Sequence, residues 1–526
     1  MNTTLYRYQK LETWIEDLSI ALGELGFRFL KQREGIFAYQ NLTATILKGI
    51  EQADGFMIVR EPIGKGEWAL GIKDHRKYFE TGTRVPVRKS EQVLFNGAPA
   101  KYLRPAQRVR ACAELGAKLA EVLPDFSNDP LIPDYFEKGV YQKSNFIFGN
   151  GERLIDPQIG RNLKFNGFFE SPKNFKIYVI ANDVTNSIVR EYSVNIENGI
   201  RNYSLSGKVK LISFLDADKL VSSDFISGSV GLVALAGMKG EAIGEDELRV
   251  MDHLDSCDAP YRMFSLGNPQ LFWSSLDQVG TLAMLAGGAP YRMNFNWPEG
   301  RSVYSIGVDL GHPLHEGPSV LAVSLMGPDG VHLNTFTRVQ KRDETADAKN
   351  LFEMLRESSQ LAQLHAGSSE PKFLVLRDGR RNPGEDIYSY RKALGKNMTL
   401  VDISKRVNAY VYDSSNFMPG CAGDVLYFGD EKVPLAVTAP SATSMQIPTV
   451  RKIRVDRGWD GLGLGIEKVT EVICAMAYSP ALGLKPHGNP GPVYWADGAA
   501  SISPDNCHFR GIKEIKRNFN KLLASN

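Results

Sequence analysis

The stretch SVYSIGVDL at residues 302–310 is followed by PSVLAVSLM at 318–326 and VHLNTFTRV at 331–339. All three stretches are rich in the β-branched and aromatic residues that favour strands. The turn-forming sequence Gly327-Pro328-Asp329-Gly330 joins the second stretch to the third. This spacing predicts an antiparallel meander of three strands.

A helical pattern follows the meander from about Thr345 to Leu364, and KFLVLRD at 372–378 then forms another buried strand. Further alternation of helix and strand continues toward the end of the chain. Strand-strand-strand-helix-strand is the order of an RNase H-like fold. We therefore predict an RNase H-like α/β domain over residues 301–526.

Two further domains are predicted upstream. The runs KIYVIAN, KLISFL and SVGLVALAG alternate with helical stretches, which indicates a Rossmann-like α/β layer within residues 141–300. Residues 1–140 combine strand-like runs such as GFMIVREP with the helical segment PAQRVRACAELGAKLAEVL, and this mixture predicts a small α+β module. Loop composition in PDFSNDPLIPDYFEKG marks the boundary.

Composition limits the classes of function. The chain has 526 residues, of which 43% are hydrophobic and 23% charged, and these values are typical of globular proteins. Its apolar runs are too short to span a bilayer and its start lacks a signal peptide, so we expect a cytoplasmic protein without membrane contact. The five cysteines lack zinc-ligand spacing, so buried reduced thiols are expected. A net charge of +2 neither requires nor excludes nucleic acid.

Acidic residues stand at the edges of the predicted elements. Asp309 and Asp378 end two apolar strands, Glu344 opens the helix after the meander, and Asp497 follows a short aromatic strand. Carboxylates at the ends of neighbouring strands converge on one crevice and repel each other unless cations neutralise them. Because Mg²⁺ and Mn²⁺ prefer oxygen ligands, four such acids could bind two ions for phosphodiester hydrolysis. Ser-His-Asp chemistry is a weak alternative, since no histidine lies in a nucleophile motif.

The segments IGVDLGHP, TRVQKRDE, LVLRDGRRNPGE, DISKRVNAYVY, PSATSMQIPTV and PVYWADGAA resemble, in order and spacing, the motifs of the PIWI domain of Argonaute proteins. They cover nearly all of residues 302–503. The family's tetrad of Asp, Glu, Asp and Asp or His falls here on Asp309, Glu344, Asp378 and Asp497. The resemblance implies two Mg²⁺ or Mn²⁺ ions, with Asp309, Asp378 and Asp497 as metal ligands. Asp343, Asp347 and Glu353 lie close to Glu344 and make that match the least specific.

Upstream, FIFGNG, DPQIGRNLKFNGFFE and the α/β segment ending LAGGAPYRM resemble the loop and MID domain of prokaryotic Argonautes, which hold the 5′ end of a guide strand. The resemblance implies guide contacts at Arg249, Tyr261, Arg262, Lys405 and Arg406. The segment TLAMLAGG lacks the lysines that many members carry, which leaves three alternatives open: the pocket prefers an unphosphorylated end, uses a metal, or is built differently. The short N-terminal module indicates a compact form without a PAZ domain, whose module could hold the duplex or bind an effector protein.

The leading hypothesis is a guide-directed endonuclease that pairs a small DNA or RNA guide with a complementary DNA or RNA target and cleaves the target. The resemblance implies a role in defence against invading nucleic acid. A guided recognition protein that works through an associated effector is the main alternative, and an unguided nuclease is a third. Retention of the acids favours cleavage, because a protein that only binds has no need for clustered carboxylates.

Overall fold

The computed structural model describes residues 4–8, 13–32, 35–44, 50–64, 67–83, 85–86, 105–127, 136–140, 145–151, 153–154, 159–225, 228–236, 244–257, 259–267, 275–298, 302–312, 318–367, 370–379, 384–405, 423–428, 433–439, 449–479 and 488–500. The chain divides into two compact units. The first unit comprises Met1–Tyr141 and Arg406–Ile453, and the second comprises Gln142–Lys405 and Arg454–Asn526. Among the described helices, none is long and apolar enough to cross a membrane.

The first unit is built on an antiparallel sheet with strand order β1-β6-β5-β3-β2 and β4 paired to β5. Its elements are β1 (Thr4–Arg7), α1 (Trp14–Glu24), β2 (Arg28–Gln32), β3 (Gly35–Tyr39), β4 (Thr43–Ala44), β5 (Ile50–Gly64), β6 (Glu67–Glu80), α2 (Pro105–Val122) and β7 (Phe136–Val140). Side chains alternate between the two faces of this sheet. Ile36 and Ile58 lie in a core with α1 and α2. Phe37 and Phe79 lie in a second buried cluster on the other face of the sheet.

The second unit begins with a parallel sheet of strand order β11-β10-β12-β13. Its first elements are β8 (Asn145–Ile147), β9 (Arg153–Leu154), α3 (Ile159–Asn166), β10 (Phe175–Ala181), α4 (Ser187–Asn202), β11 (Gly207–Ser213), α5 (Phe214–Ala217), β12 (Ser229–Leu235), α6 (Glu245–Ser256), β13 (Tyr261–Ser265), α7 (Ser275–Leu285) and β14 (Arg292–Asn294). Buried apolar runs in β10 and β12 explain the central position of these strands. This is the Rossmann-like layer that the sequence predicts.

The rest of the second unit contains five strands in the order β17-β16-β15-β18-β19. Its elements are β15 (Val303–Gly311), β16 (Ser319–Met326), β17 (His332–Gln340), α8 (Ala348–Ala366), β18 (Lys372–Asp378), α9 (Ile387–Leu394), β19 (Met398–Ser404), α10 (Gly465–Met476) and α11 (Gly491–Ala500). Strands β15 to β17 are antiparallel, whereas β18 and β19 run parallel to β15. The predicted meander and the RNase H-like order are therefore confirmed.

Strands β20 (Asp424–Phe428), β21 (Val433–Ala439) and the start of β22 (Thr449–Asp460) belong to the first unit, and the rest of β22 belongs to the second. Strand β20 pairs with β7 and β21, and β21 pairs with the start of β22, all antiparallel. The predicted domains 1–140, 141–300 and 301–526 differ from this division, because residues 406–453 group with the N-terminal part. The three-domain organisation stays a prediction.

Two local predictions are wrong. Glu344 does not open a helix, because α8 begins at Ala348 with the carboxylate of Asp347 as its N-cap. Asp497 does not follow a short aromatic strand, because the segment with Tyr494 and Trp495 lies inside α11. The aromatic pair resembles a strand by composition, but the small residues around it suit a helix that packs closely against a sheet.

Candidate metal centre

Asp309 lies near the end of β15, in the sequence Ile-Gly-Val-Asp-Leu-Gly. Because side chains alternate along a strand, Gly307, Asp309 and Gly311 share one face, and Ile306 and Val308 point to the opposite face. The two apolar residues belong to the core that α8 and α9 cover. The face with Asp309 is the one that α11 covers, so the sequence of β15 separates the core from the site.

The two glycines allow α11 to lie directly on β15. A Cβ at Gly307 would stand 2.1 Å from the Pro492 carbonyl oxygen, and a Cβ at Gly311 would stand 2.3 Å from that of Ala500. Real side chains do not approach a backbone oxygen so closely. The hydroxyl of Ser324, on the neighbouring strand, donates a buried hydrogen bond of 2.5 Å to the same Pro492 carbonyl. Asp497 lies between these two contacts on α11 and is thereby held beside Asp309.

Asp378 reaches the site through strand register. Val308 on β15 pairs with Arg377 on β18, so Asp309 and Asp378 follow at neighbouring positions of two parallel strands. The Arg377 guanidinium donates to both carboxylate oxygens of buried Glu385 and to the Asp378 carbonyl oxygen at 2.6 Å. Tyr390 also donates to Glu385, at 2.7 Å. This buried network fixes the backbone on which the Asp378 side chain stands.

The three aspartates form one cluster. One carboxylate oxygen from each of Asp309, Asp378 and Asp497 lies within 4.8 Å of the other two. The ammonium of Lys405, immediately after β19, contacts all three: Nζ is 2.5 Å from Asp378 Oδ2, 2.5 Å from Asp497 Oδ1 and 3.8 Å from Asp309 Oδ2. Strand register explains its position, because Ile403 pairs with Asp378 and Lys405 lies two residues further on the same face.

Charge and burial perturb these groups strongly. Burial, and next the negative charge of Asp378, raise the pKa of Asp309 well above its ordinary value. Burial alone would lower the pKa of Lys405, but the charges of Asp309, Asp378 and Asp497 outweigh it and raise the pKa. Lys405 is therefore a charged ammonium at neutral pH, and it neutralises only part of the carboxylate charge.

The donor set fits a hard divalent cation. All three ligands offer carboxylate oxygens, which Mg²⁺ and Mn²⁺ prefer. Among the described residues, none donates a hydrogen bond to the buried Oδ1 of Asp378. An acceptor that is buried without a donor is costly unless a cation satisfies it. Asp309, Asp378 and Asp497 would hold such an ion.

Glu344 lies outside this cluster. Its side chain is 82% exposed, and its carboxylate oxygen Oε2 stands 3.5 Å from Nε2 of His312. Neighbouring acids have local structural roles: Asp343 accepts a hydrogen bond from the Thr345 amide, and Asp347 accepts one from the Asn350 amide. All three of these acids are exposed, and the structure does not bring Glu344 to the three aspartates.

The residues expected to contact a guide are dispersed in the Rossmann-like layer. Tyr261 is 1% exposed and packs in the core beside α11. Arg262, the next residue on β13, points to the opposite face of the sheet. Arg249 lies on α6, where it forms ion pairs with Asp218 and Asp246. These three side chains therefore do not converge on a single pocket.

The remaining guide-contact residues are Lys405 and Arg406. Lys405 is placed among the aspartates, whereas Arg406 lies outside the described residues. No sequence pattern considered above indicates that Lys405 pairs with the acids, and none singles out the Arg377–Glu385 network or the two glycines. A signal for the glycines was available, since Gly307 and Gly311 flank Asp309 symmetrically at a spacing that places all three on one face.

Comparison with known proteins identifies the fold of this chain. No protein-family model and no curated protein matches the sequence. Solved structures do match. Clostridium butyricum Argonaute bound to a guide DNA and a 19-mer target DNA is 11% identical with a TM-score of 0.73, over 95% of this chain and 87% of that one.

Two further structures agree. Marinitoga piezophila Argonaute in complex with 5′ OH guide RNA and target DNA is 12% identical with a TM-score of 0.64, over 94% of this chain and 86% of that one. Kluyveromyces polysporus Argonaute with a guide RNA is 12% identical with a TM-score of 0.65, over 97% of this chain and 79% of that one. This chain therefore has the Argonaute fold, as its motifs predict; the lack of a PAZ domain stays a prediction.

Proposed function

We propose that the protein is a guide-directed, metal-dependent endonuclease. It would bind a small nucleic-acid guide, pair it with a complementary strand and hydrolyse a phosphodiester bond of that strand. The observation that carries the proposal is the convergence of Asp309, Asp378 and Asp497, from three separate elements, within an Argonaute fold. A role against invading nucleic acid, with or without an effector protein at the N-terminal module, is the biological context that the family resemblance implies.

The residues of the site have different roles in the proposed reaction. Asp309, Asp378 and Asp497 would hold Mg²⁺ or Mn²⁺, which when bound activates water and stabilises the leaving oxygen. The Arg377–Glu385 network keeps Asp378 in position, and α11 keeps Asp497 in position. Glu344 would complete the tetrad from its exposed segment, which requires that segment to move toward the aspartates.

Cleavage of labelled target strands tests the proposal. Purified protein is incubated with a short guide and a complementary target, in DNA and RNA combinations, with Mg²⁺ or Mn²⁺. We expect one product at a fixed position opposite the guide, with loss of that product in EDTA and with a non-complementary guide. Products at positions independent of the guide would indicate the unguided nuclease instead.

A second candidate function is guided target recognition without cleavage. The exposed position of Glu344 favours it, because the tetrad is incomplete without that acid. Lys405 also favours it, because its ammonium lies where a metal ion would bind. Tight, guide-dependent target binding with no product in any combination of metal and strand would support this candidate and contradict the endonuclease.

Guide 5′-end chemistry gives a further prediction. A 5′-phosphate requires several cationic donors, but α7 ends without basic residues and α6 begins with Glu245, Asp246 and Glu247. We expect a preference for 5′-phosphorylated over 5′-hydroxyl guides of about tenfold or less, equivalent to about 1.4 kcal/mol. Titration of matched guides at one salt concentration measures it, with Arg262→Ala expected to remove whatever preference exists. A preference of about a hundredfold would contradict this view of the pocket.

A further inference from the structure

Lys405 is unusual among the groups around the aspartates because it is the cation that the structure places between them. Its ammonium stands 2.5 Å from an oxygen of Asp378 and 2.5 Å from an oxygen of Asp497. A divalent ion would need these same oxygens as ligands. The ammonium and a metal ion would therefore compete for one position, since two positive charges on the same oxygens repel each other strongly at that distance.

The side chain of Lys405 is long enough, and placed so, that its ammonium can leave the three aspartates. Lys405 follows the last residue of β19, so its backbone lies at the carboxyl end of that strand, and four rotatable bonds separate the ammonium from Cα. Its side chain is 25% exposed, so a path to solvent exists without disruption of the core. Asp309, by contrast, is 10% exposed and belongs to the body of a strand, so the carboxylates stay when the ammonium moves.

The charges of the three aspartates favour exchange of the Lys405 ammonium for divalent ions. A single ammonium cannot neutralise three carboxylates, and part of their mutual repulsion remains while Lys405 is bound. Two divalent ions carry four positive charges, enough to offset all three carboxylates, and would also satisfy Asp378 Oδ1, which accepts no hydrogen bond from the described residues. Lys405 thus reduces the repulsion within the metal-free cluster but leaves negative charge that a metal ion could neutralise.

We propose that Lys405 is a built-in counter-ion that holds the three aspartates together in the metal-free protein and must be displaced before the metal ions bind. The released ammonium would then be available to a phosphate of the bound nucleic acid, the nearest ligand of suitable charge in the proposed reaction. This inference rests on the proposed function for the identity of the site as a metal centre. Lys405 is a positioning residue here, and its effect is on the occupancy of the site.

Direct measurement of Mn²⁺ binding tests the displacement without nucleic acid. Free Mn²⁺ is followed by electron paramagnetic resonance during titration of the wild type, Lys405→Met and Lys405→Arg. Methionine keeps the length of the side chain without charge, so we expect Mn²⁺ to bind Lys405→Met at least about tenfold more tightly than the wild type. Arginine retains the competing charge, so Lys405→Arg should stay close to the wild type. Equal or weaker binding by a folded Lys405→Met would overturn the proposal.

A companion variant separates this inference from the proposed function. Asp378→Asn should lose Mn²⁺ binding if the cluster is a metal centre at all. Loss in Asp378→Asn together with unchanged affinity in Lys405→Met would overturn only the counter-ion role. No difference between Asp378→Asn and the wild type would overturn the metal centre and, with it, the counter-ion.

Lysine acetylation of the wild type provides a measurement that needs no variant. The modification rate of Lys405 is followed by mass spectrometry with and without Mn²⁺. Displacement should raise the rate several-fold, because the ammonium leaves its carboxylate partners, while Lys219, paired with exposed Asp216 away from the cluster, should react at an unchanged rate. A rate for Lys405 that does not rise at saturating Mn²⁺ would overturn the proposal.

Discussion

Replacement of Asp309 or Asp378 with asparagine is expected to lower guide-directed cleavage by at least about a thousandfold, equivalent to about 4 kcal/mol of transition-state stabilisation. Asparagine keeps the size of the side chain but removes the negative charge and one ligand oxygen. Neither residue belongs to the Rossmann-like layer, so guide affinity should change little. Single-turnover rates and guide titrations with the same protein preparations measure the two quantities.

A matched control is available near the site. Asp347→Asn replaces an acid of the same region, and because asparagine also caps helices, α8 should keep its N-terminus and the protein should keep its activity. Glu344→Gln should instead reproduce the loss seen with Asp309→Asn, since Glu344 is the proposed fourth acid. Full activity of Asp309→Asn or Asp378→Asn would exclude the proposed metal mechanism. Loss of cleavage in Asp347→Asn with full activity in Glu344→Gln would show that Asp347, and not Glu344, is the fourth acid.

Much of this site could be predicted from sequence because its acids follow from strand patterns. Asp309 and Asp378 end buried strands whose apolar residues define their length, and parallel pairing then places the two carboxylates side by side. The tetrad assignment came from motif resemblance, since Asp497 lies in a helix that the aromatic composition concealed. Glu344 could be named by its order along the chain, but an exposed segment has no core pattern that fixes where its side chain points.

The remaining features of the site, the pairing of Lys405 with the aspartates and of Arg377 with Glu385, depend on how distant segments of the chain pack together. Local composition does not encode this packing. Lys405 meets the aspartates because β19 pairs in register with β18. An ion pair of this kind joins residues 92 positions apart in the chain. Glu385 likewise meets Arg377 through a tertiary contact, a buried ion pair that no local sequence pattern indicates. Local sequence predicts that these residues are polar, but only tertiary structure determines which charges they meet.

Gly307 allows α11 to lie close to β15 and thereby positions Asp497. Its replacement with alanine adds a single methyl group but should have a large effect on stability and cleavage. In Gly307→Ala the new Cβ would stand 2.1 Å from the Pro492 carbonyl oxygen and 2.7 Å from the Val493 amide nitrogen, both backbone atoms that cannot rotate away. Helix α11 must therefore shift off β15, and Asp497 shifts with it. Such overpacking costs about 1–3 kcal/mol of stability. A displacement of about 1 Å at a catalytic group can lower the rate about a hundredfold.

The expected result for Gly307→Ala is therefore a lower unfolding midpoint in urea, weaker Mn²⁺ binding and about a hundredfold slower cleavage, with guide affinity retained. Gly23→Ala is the matched control: Gly23 lies within helix α1, a Cβ there meets nothing within 4 Å, and alanine favours the helix, so stability should be equal or higher. Unchanged metal binding and cleavage in Gly307→Ala would show that Asp497 does not depend on the close approach of α11 to β15. Recovery of activity when Ser324→Ala is added would locate the strain at the Pro492 carbonyl, because loss of that hydrogen bond lets the helix move freely to a new position.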